Sequence, residues 1–129
     1  MGLPEEVQAI LDCVVEKSVI TIGTVVLDRL VYWNPKASGH SSNNWVPSKG
    51  APYQDIDGTR TNPSNTAQVS GREEIKSYRL TDGAVFIANN VPYLLWLTLG
   101  SSPQAPAGWD RFAIEEGIIE GAKKMAEDQ

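Results

Sequence analysis

Apolar residues recur along the first quarter of the chain at the three- and four-residue spacing of one helix face. They are Val7, Ile10, Leu11, Val14 and Val15, then Ile22, Val25, Val26 and Leu30. Pro4-Glu5-Glu6 suits a helix start, because proline fits the first turn and acids there complement the helix dipole. Ser18 stands where an apolar residue is due, and Val19-Ile20-Thr21-Ile22-Gly23 is a run of weak helix formers, so a kink or a strand is open at that point. No strong turn signal divides the two halves. The pattern therefore predicts one long helix over roughly 5–33, ended by Asn34-Pro35.

Residues 35–71 change character. They carry four of the eight prolines among Ser, Asn, Gly and Thr, with few large apolar side chains. Trp45-Val46 reads as a short strand entering a long polar loop or arm over 46–69. Ser70-Gly71-Arg72-Glu73 fits a capping box and predicts a short helix over about 71–78. Thr81-Asp82-Gly83 is a turn, and 84–88 (AVFIA) is the clearest strand. A C-terminal helix follows from Trp109 to about Ala126, with Phe112, Ala113, Ile114, Ile118, Ile119 and Ala122 as its apolar positions.

The connection over 87–112 is unusual. Pro92-Tyr93-Leu94-Leu95-Trp96-Leu97 is nearly all apolar, yet Asn89-Asn90 and Gly100-Ser101-Ser102-Pro103 bracket it as turn signals. Such bulk packs either under its own domain or against another subunit. Trp45 and one further tryptophan are expected in the core. For Trp96 and Trp109, core and interface stand equal, since Trp and Tyr anchors concentrate at interfaces.

At 129 residues the chain is expected to form one domain, 1–129. A net charge of −5 argues against a duplex nucleic-acid binder, which needs clustered cations to neutralise phosphates. No run of 18 apolar residues predicts a membrane span, and the N-terminus has no basic region followed by an apolar block. The single cysteine, Cys13, cannot form an internal disulfide, and reducing cytoplasm is the simplest place of synthesis.

Catalytic signals are weak. His40 is the only histidine, set in Ser38-Gly39-His40-Ser41-Ser42, and no G-x-S-x-G elbow accompanies it, so it reads as an exposed loop residue. Asp55-Ile56-Asp57-Gly58 has its glycine at the fourth rather than the sixth position of a calcium loop, and reads as a plain turn. One Cys and one His leave zinc without a ligand set. Gly100 and Gly108 form no phosphate-binding pattern. No catalytic residue, metal or cofactor is expected.

Two segments carry a resemblance. Residues 35–45, PKASGHSSNNW, align without gaps on P-V-D-T-G-R-L-R-x-N-W. Ile87-Ala88-Asn89-Asn90-Val91-Pro92-Tyr93, then Leu97, Gly100, Ser102, Gln104-Ala105-Pro106 and Gly108, is similar to I-x-N-N-x-P-Y-x-x-x-L-E-x-G-x-S-x-Q-A-P-x-G-M. Both patterns belong to the neck and tail-completion proteins of tailed bacteriophages, the group that includes the minor tail protein Z of lambda-type phages. The departures are Ala37 for the aspartate, His40 and Ser42 for two arginines, Thr98 for the glutamate and Trp109 for the methionine. Hydrogen bonds from Ser38, His40 and Asn43 are expected to replace any contact made by the missing charges.

The resemblance implies an α+β fold: a long N-terminal helix and a C-terminal helix packed on a small antiparallel sheet. It implies a virion component made in the host bacterial cytoplasm. That component is a homo-oligomeric ring, commonly of six subunits, between the head connector and the tail tube or its terminator. DNA would pass through its channel without specific binding, and no membrane is involved. Under this reading Asn89, Asn90, Pro92 and Tyr93 fix the turn after the strand, while Trp96 and Leu97 pack the loop. Gln104, Ala105, Pro106 and Trp109 present or brace an intersubunit contact, with Gly100 and Gly108 in the turns and Trp45 closing the first motif. The 46–69 arm is expected to order on assembly. A tail terminator or a head-completion protein of the same junction is the nearest alternative. A small hydrolase using His40 and a monomeric ligand-binding module are the rivals from other classes.

Overall fold

A computed structural model of the chain describes residues 3–35, 40–56, 66–100 and 105–127. The architecture is α+β, with helices α1 (Glu5–Trp33), α2 (Thr66–Lys76), α3 (Leu94–Thr98) and α4 (Trp109–Glu127) and strands β1 (Val46–Lys49) and β2 (Val85–Ala88). A 3-10 turn, Leu80–Asp82, precedes β2.

The first helix is continuous across its weak segment. Ser18 and Thr24 hydroxyls donate to the Val14 and Ile20 carbonyls at 2.8 and 2.7 Å. Packing of Ile22 and Val26 against α4 then overrides local propensity. Asn34 leaves the helix in an extended conformation, ψ 126°, as a residue before proline prefers.

Helix α4 runs back along α1. Trp109, Ala113, Gly117 and Gly121 fall on one face at four-residue spacing and are buried. A Cβ on Gly121 would meet the Ile22 Cα at 2.8 Å, so the two backbones approach as only glycine permits. This corrects the expected inner face: of Phe112, Ala113, Ile114, Ile118, Ile119 and Ala122, only Ala113 is buried. Absence of side-chain bulk, rather than apolar bulk, sets the contact.

The same register corrects the reading of α1. Val7, Ile10, Leu11, Val14 and Val15 are each at least 42% exposed, whereas Val25, Leu27, Leu30 and Val31 are buried. With Gly121 opposite Ile22, α4 ends near the level of Glu16. The preceding part of α1 overhangs by about 16 Å at 1.5 Å per residue.

Among the described residues the sheet has two antiparallel strands, with Pro47 opposite Ile87 and Lys49 opposite Val85. Pro47, which has no N–H to offer, is confined to such an edge. Helix α2 begins earlier than the capping signal implied: Ser70 and Glu73 lie inside it, and it ends at Lys76. Ala67, Gly71 and Ile75 form its buried stripe, and burying that stripe against Leu27 and Pro47 extends the helix upstream of the local cap. The 46–69 arm is accordingly shorter than expected, because 46–49 is β1 and 66–69 is the start of α2. Its residues 57–65 lie outside the described residues.

Candidate functional site

The two resembling segments meet. At the end of α1, Asn34 is 1% exposed and accepts the Trp45 indole N–H at 3.0 Å. Its amide donates to the Ser41 hydroxyl at 2.8 Å and to the Pro35 carbonyl at 2.9 Å. Ser41, Ser42, Asn43 and Asn44 are all buried, an expensive placement for four consecutive polar residues unless they are hydrogen-bonded. Asn44 meets that need by donating to the His40 carbonyl at 2.7 Å, and its backbone N–H reaches the Ser41 carbonyl at 3.2 Å.

The second segment closes onto the first through Asn89, whose amide donates to the Ser41 carbonyl at 2.7 Å. The Asn89 side-chain oxygen accepts the Val91 N–H at 3.1 Å, an Asx turn that redirects the chain out of β2. Asn90 donates to the Tyr53 and Asp55 carbonyls at 2.7 and 3.2 Å, tying the start of the polar arm to the same place. Of the two asparagines expected to fix this turn, Asn89 makes its side-chain bond, whereas Asn90 bonds the 53–55 backbone. In the first segment Asn34 bonds Ser41 and Asn44 bonds the His40 carbonyl, while Ser38 lies outside the described residues.

The tryptophans separate cleanly. Trp109 is 0% exposed, meets Trp45 edge-on at 6.4 Å and donates its indole N–H to the Leu97 carbonyl at 2.9 Å. It therefore braces the loop from inside and presents no contact itself. Leu97 packs against the core as expected, but Trp96 points outward at 67% exposure. The reason is that α3 is a five-residue helix with Leu94 and Leu97 on its inner side, which forces Leu95, Trp96 and Leu99 out. Tyr93, 42% exposed, adjoins them, and Pro92 and Pro106 are exposed.

Gly100 and Gly108 both adopt positive φ, 88° and 80°, and the Gly108 N–H returns to the Thr98 carbonyl at 2.8 Å. Ala105 is buried, and Gln104 lies outside the described residues.

His40 is half-buried rather than exposed. Its ring lies 6.3 Å from that of Tyr93, and its Nδ1 is 3.3 Å from the Asn44 amide. Loop packing against the second segment covers it. Among the described residues no three His, Cys, Asp or Glu side chains gather in a way that could hold a metal ion. No described helix is long and apolar enough to cross a membrane.

Sequence reasoning missed Leu95 and Leu99, 66% and 64% exposed, and the outward face of α4, where Phe112, Ile118 and Ile119 are each at least 47% exposed. Their hydrophobicity was visible, but the direction of the α4 residues depends on the glycine contact with α1, and that of Leu95 and Leu99 on α3 burying Leu94 and Leu97. No protein-family model, curated protein or solved structure matches the chain.

Proposed function

We propose that this protein is a structural subunit of the neck of a tailed bacteriophage, a tail-completion ring joined to the head connector. The observation that carries this reading is the union of the two resembling segments. Asn89 bonds Ser41 and Trp109 meets Trp45, so residues far apart in sequence form one buried scaffold beneath an outward α3.

The exposed surface supports the same reading. A monomeric protein rarely leaves a contiguous apolar patch beyond a few hundred Å². Here the α1 overhang, α3 and the outer side of α4 all carry large apolar side chains in the open. A ring subunit needs two different patches, one for each neighbour. The acidic balance, net −5, suits a channel that DNA traverses without sticking.

The function is tested by electron microscopy of particles assembled without this chain. Full heads and finished tails that accumulate unjoined support the proposal, and normal virions overturn it.

A further inference from the structure

We propose that the outer edge of β2 is a docking site for an extended strand of a different protein, one with branched apolar residues at alternate positions. The proposal goes beyond the neck reading and stands without it.

The open edge follows from the register. Gly50 donates its N–H to the Ala84 carbonyl at 2.9 Å, and the strands pair Ser48 with Phe86 and Val46 with Ala88. Antiparallel ladders alternate hydrogen-bonded with non-hydrogen-bonded pairs, so these three pairs are the bonded ones. Pro47 and Lys49 fall in the non-bonded pairs, which suits a proline with no N–H to give. Their partners Ile87 and Val85 therefore turn their N–H and C=O groups away from β1. Among the described residues, no hydrogen bond uses those four groups.

The two edges of the sheet differ. On β1 the outward residues are Pro47 and Lys49, and the Lys49 ammonium donates to the Ser77 hydroxyl at 2.8 Å and pairs with Glu74 at 3.5 Å. Proline and lysine are the usual devices that keep a strand edge from pairing. β2, with the sequence VFIA, carries neither.

That unguarded edge is one wall of an apolar groove. Val85 and Ile87 face Ile114 and Ile118 of α4 across a floor that includes Val19 and Ile22 of α1, around a space of about 450 Å³. Ile114 and Ile118 are 40% and 47% exposed, so α4 leaves the groove open. A third strand beside β2 would extend a two-stranded sheet that is marginal alone. Its alternate side chains, about 6.7 Å apart, would match the step of about 6 Å from Ile114 to Ile118.

Unpaired N–H and C=O groups beside apolar walls call for an extended backbone, with main-chain bonds giving affinity and alternate side chains giving specificity. The residues of this sequence outside the described ones include no Val, Ile, Leu, Phe, Tyr or Trp, so they do not supply that strand. β1 of a second copy presents Pro47 and Lys49. β2 of a second copy would bring its own α1 and α4 to the face where α4 already stands, whereas a bare strand brings nothing behind it.

The probe is a short capped peptide in which Val and Thr alternate, added to the whole chain and followed by calorimetry and amide hydrogen exchange. Binding that slows exchange at Val85 and Ile87 is the expected result. Methylating alternate peptide nitrogens should weaken binding roughly tenfold, and Val85→Pro, which removes an outward N–H and leaves the bonded pairs intact, should do the same. Ile118→Lys is the second variant: it puts a charge in the groove at a half-exposed site, and should fold normally yet bind at least as poorly. No binding at millimolar peptide overturns the proposal, as does binding indifferent to peptide methylation and to Ile118→Lys. Concentration-dependent protection of Val85 and Ile87 in the protein alone also overturns it, because the edge would then belong to a second copy. None of these outcomes touches the neck assignment.

Discussion

Gly117 of α4 lies so close to Val26 of α1 that an added Cβ would sit 2.7 Å from the Val26 Cα. The nearest obstacle is backbone, so no rotamer change relieves it. In an exposed helix, Gly→Ala gains about 1 kcal/mol of propensity. Here overpacking costs about 1–3 kcal/mol and should win. Gly117→Ala is expected to lower the melting temperature by several degrees in calorimetry. Adding Val26→Ala should not restore it, because the clashing Cα remains.

That relationship also explains what could be read from the sequence. The ends of α1, the strand at 85–88 and the start of α4 were legible because Pro4, Asn34-Pro35, Asn89-Asn90 and Gly108 are local signals. The buried face of α4 was not, because a hydropathy pattern reads glycine as a gap, whereas two backbones in contact need that gap. The α1 overhang was hidden for a related reason: it arises from the unequal lengths of α1 and α4 and from their register. For Trp96 and Trp109, composition is identical. Direction is decided by the N–H bond of Trp109 to Leu97 and by the shortness of α3.

The buried Asn34–Trp45 bond makes a separable prediction. Asn34→Ala removes the acceptor from an indole N–H at a site where Trp45 is 7% exposed. An unsatisfied buried donor costs about 1–3 kcal/mol. Urea unfolding should show a lower midpoint with an unchanged slope. A double-mutant cycle with Trp45→Phe should give a coupling energy, since the phenyl ring has no N–H to leave orphaned.

Arg29 joins α1 to α4 through Glu120 and through Glu116 at 3.3 Å. Its pKa is raised above the usual guanidinium value, chiefly by the Glu120 hydrogen bond, against a lowering by desolvation. A raised folded-state pKa means that the stabilisation is complete below the unfolded value and fades only as pH climbs through the folded one. Arg29 therefore contributes no pH dependence from its own titration across the physiological range. The side chains are about a quarter to two-fifths exposed, so screening limits the pair to about 1 kcal/mol or less. Arg29→Met should cost that much in low salt and less in high salt, measured by chemical unfolding at neutral pH.

Trp96 and Trp109 should respond oppositely to the same truncation. Trp109→Ala empties a fully buried site and removes the N–H bond to Leu97, for which a loss of about 3–5 kcal/mol is expected. For a 129-residue domain that approaches the whole of the stability, so the variant should be insoluble or unfolded by circular dichroism. Trp96→Ala removes a ring that is 67% exposed and should change the unfolding free energy by no more than about 0.5 kcal/mol. If α3 is an assembly surface, the Trp96 variant should fold normally yet fail to join heads to tails in a complementation assay. A Trp96→Ala protein that is both stable and fully competent would remove α3 from the assembly surface, leaving the α1 overhang and the outer side of α4 to carry the contacts.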